Sequence, residues 1–233
     1  MTMIGDNLQT VRARIATACQ AARRDAGAVT LLAVSKTFGP EAVREAFAAG
    51  QTAFGENYLQ EAVDKMSALR DLPLQWHCIG PIQSNKTRLV AEHFSWAHTI
   101  DRLRVAQRLN DQRPPDLAPL QVCVQVNIDA GPTKSGVAPQ DALWLVREVA
   151  ELPRLQVRGL MTIPDSRPDF QRQVAVHAKA KDLFDAIAAA GGRGLDHFDT
   201  LSMGMTADLE AAIQAGSTMV RIGTAIFGGR PKP

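Results

Sequence analysis

The stretch Leu31-Leu32-Ala33-Val34-Ser35-Lys36, followed by Thr37-Phe38-Gly39-Pro40, reads as a short buried strand that ends in lysine and turns into a helix. That order places an amine at the carboxyl edge of a sheet, where α/β proteins build their sites. A lysine held there and partly desolvated can shed its proton and condense with an aldehyde. The plainer reading is a strand-end lysine that reaches water or pairs with a carboxylate.

The same alternation runs through the chain. Apolar strand-like runs at 31–36, 52–57, 75–80, 95–101, 119–128, 156–164, 197–204 and 218–228 alternate with amphipathic segments near 40–49, 59–70, 84–93, 102–112, 139–151, 168–190 and 206–215. Pro40 opens a helix and Gly50 closes one, Asp101 and Pro139 sit at helix starts, and Gly191-Gly192 ends the longest helix. Ser84 reads as an N-cap. Strand alternating with helix implies parallel strands with crossover helices. Eight of them close most economically into a single (β/α)8 barrel, a TIM barrel, with residues 5–27 as an extra N-terminal helix. The rival, an open doubly wound sheet, is weakened because neither GxGxxG nor GxxxxGK[ST] follows a strand. Pro114-Pro115 and Gly131-Pro132 punctuate loops, and no composition shift divides the chain, so one domain over 1–233 is expected.

Composition narrows the function classes. The 233 residues are 45% hydrophobic, enough for a sizeable core, and the formal net charge is +2. Acidic and basic residues are interspersed without a basic, aromatic-laced stripe, which argues against nucleic acid as a partner. Arg12, Arg14, Arg23 and Arg24 form the densest basic cluster and read as a solvated helix face. Cys19, Cys78 and Cys123 are odd in number and unpaired in spacing, as expected of buried thiols in a cytoplasmic protein. The N-terminus lacks a secretory pattern, and no apolar run is long enough to span a bilayer. His77, His93, His98, His177 and His197 have no metal-ligand spacing, so no metal is expected.

In a barrel all eight strand ends surround one pocket. The residues brought there include Lys36, Glu56-Asn57, His77, Asn127, Met161-Thr162, Ser202-Met203-Gly204 and Arg221-Ile222-Gly223-Thr224. Barrels often bind phosphate after strands seven and eight. Hydroxyls of Ser202 and Thr224, with Gly204, Gly223 and Thr206, read as such a cup, although serine, glycine and threonine are also ordinary turn residues. His77 reads as site wall rather than acid or base.

These residues carry a resemblance. AVSKT at 33–37, FGENYLQE at 54–61, HCIGPIQSN at 77–85, KSGV at 134–137, GLMTIP at 159–164, LSMGM at 201–205 and VRIGTAIFG at 220–228 resemble the pyridoxal-phosphate homeostasis protein family (PROSC-like), related to the barrel domain of alanine racemase. The resemblance covers nearly the whole chain. It implies pyridoxal 5'-phosphate held as an aldimine on Lys36, with Ser202, Gly204, Gly223 and Thr224 on the phosphate. It also implies Asn57 beside the cofactor and Arg221 toward the pyridine nitrogen, with His77, Met161 and Met203 completing the site. Many members carry a second lysine two positions after the first; Phe38 stands there in this chain, leaving Lys134 of KSGV as another amine that binds or passes on cofactor.

Two functions follow from the resemblance. One is a monomeric cytoplasmic protein that binds and buffers the cofactor without dedicated turnover, with no catalytic residue and with apo enzymes as acceptors. The other is an amino-acid racemase, which needs two opposed bases, usually lysine and a tyrosine from a β-rich domain after the barrel. The sequence runs to Pro233, just past strand eight, and that domain is expected to be absent; Tyr58 is the only tyrosine. Binding is the reading preferred. A lysine aldolase without coenzyme would leave the phosphate cup without an occupant.

Overall fold

The structure, a computed structural model, describes residues 2–131, 134–165 and 168–229. Pro132 of the expected Gly131-Pro132 turn and the C-terminal Pro233 lie outside the described residues. The chain opens with α1 (Met3–Ala21), whose first turn is capped by the Thr2 hydroxyl accepting from the Gly5 amide. It then alternates β1 (Thr30–Val34), α2 (Pro40–Ala48), β2 (Ala53–Glu56), α3 (Leu59–Ala68), β3 (Gln75–Cys78), α4 (Thr87–His93), β4 (Trp96–Ile100), α5 (Leu103–Gln112), β5 (Leu120–Gln125), α6 (Ala142–Ala150), β6 (Leu155–Met161), α7 (Phe170–Ala190), β7 (Thr200–Ser202), α8 (Leu209–Gln214), β8 (Met219–Ile222) and α9 (Thr224–Phe227). The strands are parallel and form a closed barrel in chain order, with β8 returning to β1 through the pair Leu32 and Arg221. This is the (β/α)8 barrel with an N-terminal helix that the sequence implies.

Alternation along each strand sorts the side chains. Ala33, Phe54, Cys78, Ala97, Val122, Val124, Leu160, Leu201, Val220 and Ile222 face the helices and form the main core. Leu32, Val34, Ala53, Ile79 and Met219 pack inside the barrel, as do Trp96, Cys123 and Met161. Helix α1 lies across α2, α8 and α9, burying Leu8, Val11, Ile15 and Cys19.

Several local expectations change: β7, expected over 197–204, is Thr200–Ser202, and α5 starts at Leu103 with Arg102, not Asp101, at its cap position. The strand expected over 218–228 ends at Ile222, because the Gly223 carbonyl accepts the amides of Ile226 and Phe227 and winds 224–227 into one helical turn. The helix expected over 5–27 stops at Ala21, where Arg23 turns left-handed. Ser84 opens a 3-10 turn, Ser84–Lys86, and its carbonyl accepts the Thr87 hydroxyl; it does not cap α4.

Candidate functional site

Lys36 stands two residues beyond β1, half-buried, in a turn whose first amide, Ser35, still bonds the Gly55 carbonyl of β2. It lines a cavity of about 340 Å³ at the carboxyl end of the barrel. Asn57, Arg221, Gly223 and Thr224 line the same cavity, and Thr206 and Phe38 join them. Ile163 and Met205 are partly exposed at its wall.

The chemistry of this lining is uneven. Arg221 is buried, and its Nη1 donates to Ser202 Oγ at 2.8 Å and its Nη2 to the Thr162 carbonyl at 2.9 Å. Burial pushes its pKa down to about 10, with Asp208 and Cys123 pulling the other way, so the guanidinium stays charged at neutral pH. Its partners are neutral oxygens. Glu56 is not among them: it points to the helix layer and pairs with Lys65 at 2.6 Å. Asn57 Oδ1 is buried without a hydrogen-bond partner among the described residues, an acceptor the fold leaves to be satisfied from the cavity. Gly80 lets the Asn57 backbone approach, since a Cβ there would collide with the Asn57 carbonyl oxygen. The amides of Thr224 and Ala225 open α9 and lack intrahelical partners by the geometry of a helix start.

Below the cavity floor a buried polar chain runs across the barrel. Ser202 Oγ lies 3.0 Å from His98 Nδ1, and His98 Nε2 lies 3.0 Å from His77 Nδ1. His77 stacks on Trp96 with ring centroids 5.1 Å apart. Burial pushes the His77 pKa down to about 3; His98 also lies well below the ordinary value, through burial and then the neighbouring His77 and Arg221. Both imidazoles are neutral and act as hydrogen-bonding struts.

Five of the ten expected site residues do not line the cavity. Ser202 gives its hydroxyl to the Arg221–His98 chain, and His77 stands one layer further down. Met161 packs with Trp96 and Cys123 inside the barrel, and Met203 points outward into the main core. Gly204 (φ +96°) turns the chain after β7 and gives its carbonyl to the Arg221 amide, while Ala212 fills the space a side chain would need. The hydroxyl-bearing residue of this loop that lines the cavity is Thr206. The loop is fixed by Asp208, which accepts the Met205 amide at 2.6 Å and faces His177 Nε2 at 3.0 Å. Lys134, the spare amine of KSGV, is engaged with Asp129 at 3.1 Å, Asp165 at 2.8 Å and the Ile163 carbonyl at 3.1 Å. Among the described residues no cluster of three His, Cys, Asp or Glu is placed to hold a metal, and no helix is long and apolar enough to cross a membrane.

Comparison with known proteins identifies the family. The family model for the alanine racemase N-terminal domain matches residues 7–231. The pyridoxal phosphate homeostasis protein of Pseudomonas aeruginosa is 55% identical over 230 residues, covering 99% of this chain and 97% of that one. That of Escherichia coli K12 is 54% identical, covering 99% and 98%. The chain belongs to the pyridoxal phosphate homeostasis protein family. A solved relative, PipY of Synechococcus elongatus with pyridoxal phosphate bound, superposes with a TM-score of 0.83 at 34% identity, covering 97% of this chain and all of that one. Within this family fold, the lysine, the asparagine, the arginine and the first turn of α9 meet at one cavity.

Two buried polar side chains near the site escape a reading of strand ends. His98 sits mid-strand in β4, with nothing in its spacing to mark it. Lys65 lies on the inner face of α3, between Ala62 and Leu69; a charged residue at an apolar position of the helix repeat was the available signal.

Proposed function

We propose that this chain binds pyridoxal 5'-phosphate as an aldimine on Lys36, holds it as a store within the cell's pyridoxal phosphate homeostasis, and passes it to apo enzymes without a dedicated turnover of its own. The observation that carries this reading is the single cavity joining Lys36, the unsatisfied Asn57 Oδ1, the buried Arg221 guanidinium and the α9 amides. These groups match an aldehyde, a ring acceptor and a phosphate in kind. Bound there, the cofactor supplies an aldehyde and an electron-withdrawing ring. Thr206, Gly223 and Thr224 hold the phosphate, and Arg221 faces the ring nitrogen. Ser202, His98 and His77 act behind Arg221 by fixing its orientation. Residues 1–233 work as one cofactor-binding domain, a cytoplasmic monomer.

The racemase reading needs a second base opposite Lys36. Lys36 and Arg221 are the only titratable side chains among the described residues that line the cavity, and Tyr58 is 53% exposed outside that lining. Arginine donates and holds its proton, so it withdraws little charge through the ring and serves poorly as a base. These points favour storage over turnover.

Titration of the purified protein with pyridoxal phosphate, followed by visible absorption, tests the binding half. The wild type should develop an aldimine band that Lys36→Ala lacks; an equal band in both overturns the reading. Exchange of the α-proton of alanine and serine in deuterated water tests the other half. Exchange at ordinary enzymatic rates, rising with protein concentration, would overturn storage in favour of catalysis.

A further inference from the structure

Behind Lys36, on the side away from the cavity, lies a buried ionic cluster that the cofactor reading does not use. Lys65 of α3 has a side chain only 3% exposed. Its ammonium lies 2.9 Å from the Ser35 carbonyl, 2.6 Å from Glu56 Oε1 and 3.2 Å from Glu61 Oε1. An ammonium has three donors, and all three are engaged. Burial pushes the Glu56 carboxyl up, against the opposing pull of Lys65.

The acceptors are informative because one, the Ser35 carbonyl, immediately precedes Lys36, and another, Glu61 Oε1, also holds the amide that follows it. Ser35 precedes it, and the Ser35 hydroxyl also donates to Glu56 at 2.6 Å. Thr37 follows it, and the Thr37 amide donates to the same Glu61 Oε1 at 2.7 Å. Thr37 has φ +69°, a left-handed conformation that β-branched residues avoid. Such a conformation persists where the surroundings over-determine it. As a stabiliser alone the cluster is a poor choice, since a well-packed apolar side chain commonly serves as well as a buried ion pair. An apolar side chain would lack the directional hold on the Ser35 carbonyl and, through Glu61, on the Thr37 amide.

We propose that Lys65 is a positioning residue: with Glu61 it clamps the backbone on both sides of Lys36 and thereby sets where the Lys36 amine reaches in the cavity. This rests on the reading of Lys36 as the aldimine lysine. The clamp acts on covalent capture of the cofactor. Of the groups assigned to the cofactor, Arg221, Gly223, Thr224 and Thr206 come from β8, α9 and the loop after β7, which the cluster does not touch; Asn57 follows Glu56 and is the one neighbour of the cluster.

The test compares two ligands on each variant: pyridoxal 5'-phosphate, and 4'-deoxypyridoxine 5'-phosphate, which lacks the aldehyde. Lys65→Met should weaken the first by about tenfold or more, as expected when a reacting amine is misplaced, while leaving the second within about twofold. Glu61→Leu should shift the same ratio in the same direction, and Glu61→Gln, which keeps an oxygen for the Thr37 amide, should restore it. Glu61 is the more exposed partner, so it decides the matter if Lys65→Met does not fold by circular dichroism. Equal losses for both ligands, or no loss for either in the folded variants, would make the cluster merely structural and overturn the proposal. A wild type that binds the deoxy compound but forms no aldimine would instead overturn the cofactor reading, and the inference with it.

Discussion

Lowering the pH from 8 to 5 should destabilise this barrel through histidines that the fold keeps neutral. His77 has an ordinary pKa near 6.5 when unfolded and is pushed down to about 3 by burial. A histidine depressed on folding binds fewer protons folded than unfolded, so its contribution is intact above pH 6.5 and is lost as the pH falls toward 3. At pH 5 the unfolded imidazole is largely protonated and the folded one is not, which costs about 2 kcal/mol for this residue. His98, shifted the same way, adds to the loss. Glu56, whose carboxyl is raised by burial, works in the opposite direction and offsets part of it. The clean experiment is therefore a comparison: urea unfolding by circular dichroism at pH 8 and pH 5, for wild type and His77→Phe. The phenyl ring keeps the stack on Trp96 and removes the titration, at the expense of the hydrogen bond to His98. The variant should be weaker at pH 8 by about 0.5–1.5 kcal/mol, yet its further loss on acidification should be smaller than the wild type's by about 2 kcal/mol. An acid loss of the same size in both proteins would refute the account of a neutral imidazole chain behind Arg221.

Three further outcomes follow from the site. Thr206→Val and Thr224→Val should each weaken pyridoxal phosphate by about 1.5–3 kcal/mol, the worth of a hydrogen bond to a charged group, and leave unphosphorylated pyridoxal little changed; paired calorimetric titrations read the difference. Gly80→Ala forces a methyl against the Asn57 carbonyl and should cost about 1–3 kcal/mol in urea unfolding, with weaker cofactor binding because Asn57 is displaced. Nitrogen NMR of protein loaded with ring-labelled cofactor should show an unprotonated pyridine nitrogen, since Arg221 is a donor; a pyridinium shift at neutral pH would remove Arg221 from that role.

The barrel was legible because its signal is repetitive. Eight apolar runs separated by amphipathic segments leave few topologies, and glycine and proline marked most boundaries. The end of β8 is hidden in the sequence because VRIGTAIFG is apolar or glycine at all but Arg221 and Thr224, and only the carbonyl of Gly223, seen in three dimensions, reveals the helical turn. In the site, Lys36, Asn57, Arg221, Gly223 and Thr224 could be placed from strand ends alone. Ser202 illustrates the limit: alternation sends its side chain inward, but sequence cannot say whether that position lies at the cavity or one layer below it, bonded to Arg221 and His98. Lys65 was hidden for a different reason. Lysines on helices are usually solvated, and its burial depends on Glu56, Glu61 and Ser35, which only the fold brings to one point.

Everything turns on which amine carries the cofactor, and one measurement addresses that directly. The protein is loaded with pyridoxal phosphate, reduced with borohydride, digested and mapped by mass spectrometry. The expected result is a stoichiometric pyridoxyl phosphate adduct on the peptide containing Lys36. A stoichiometric adduct on another lysine, Lys134 for instance, with Lys36 unmodified, would contradict the account.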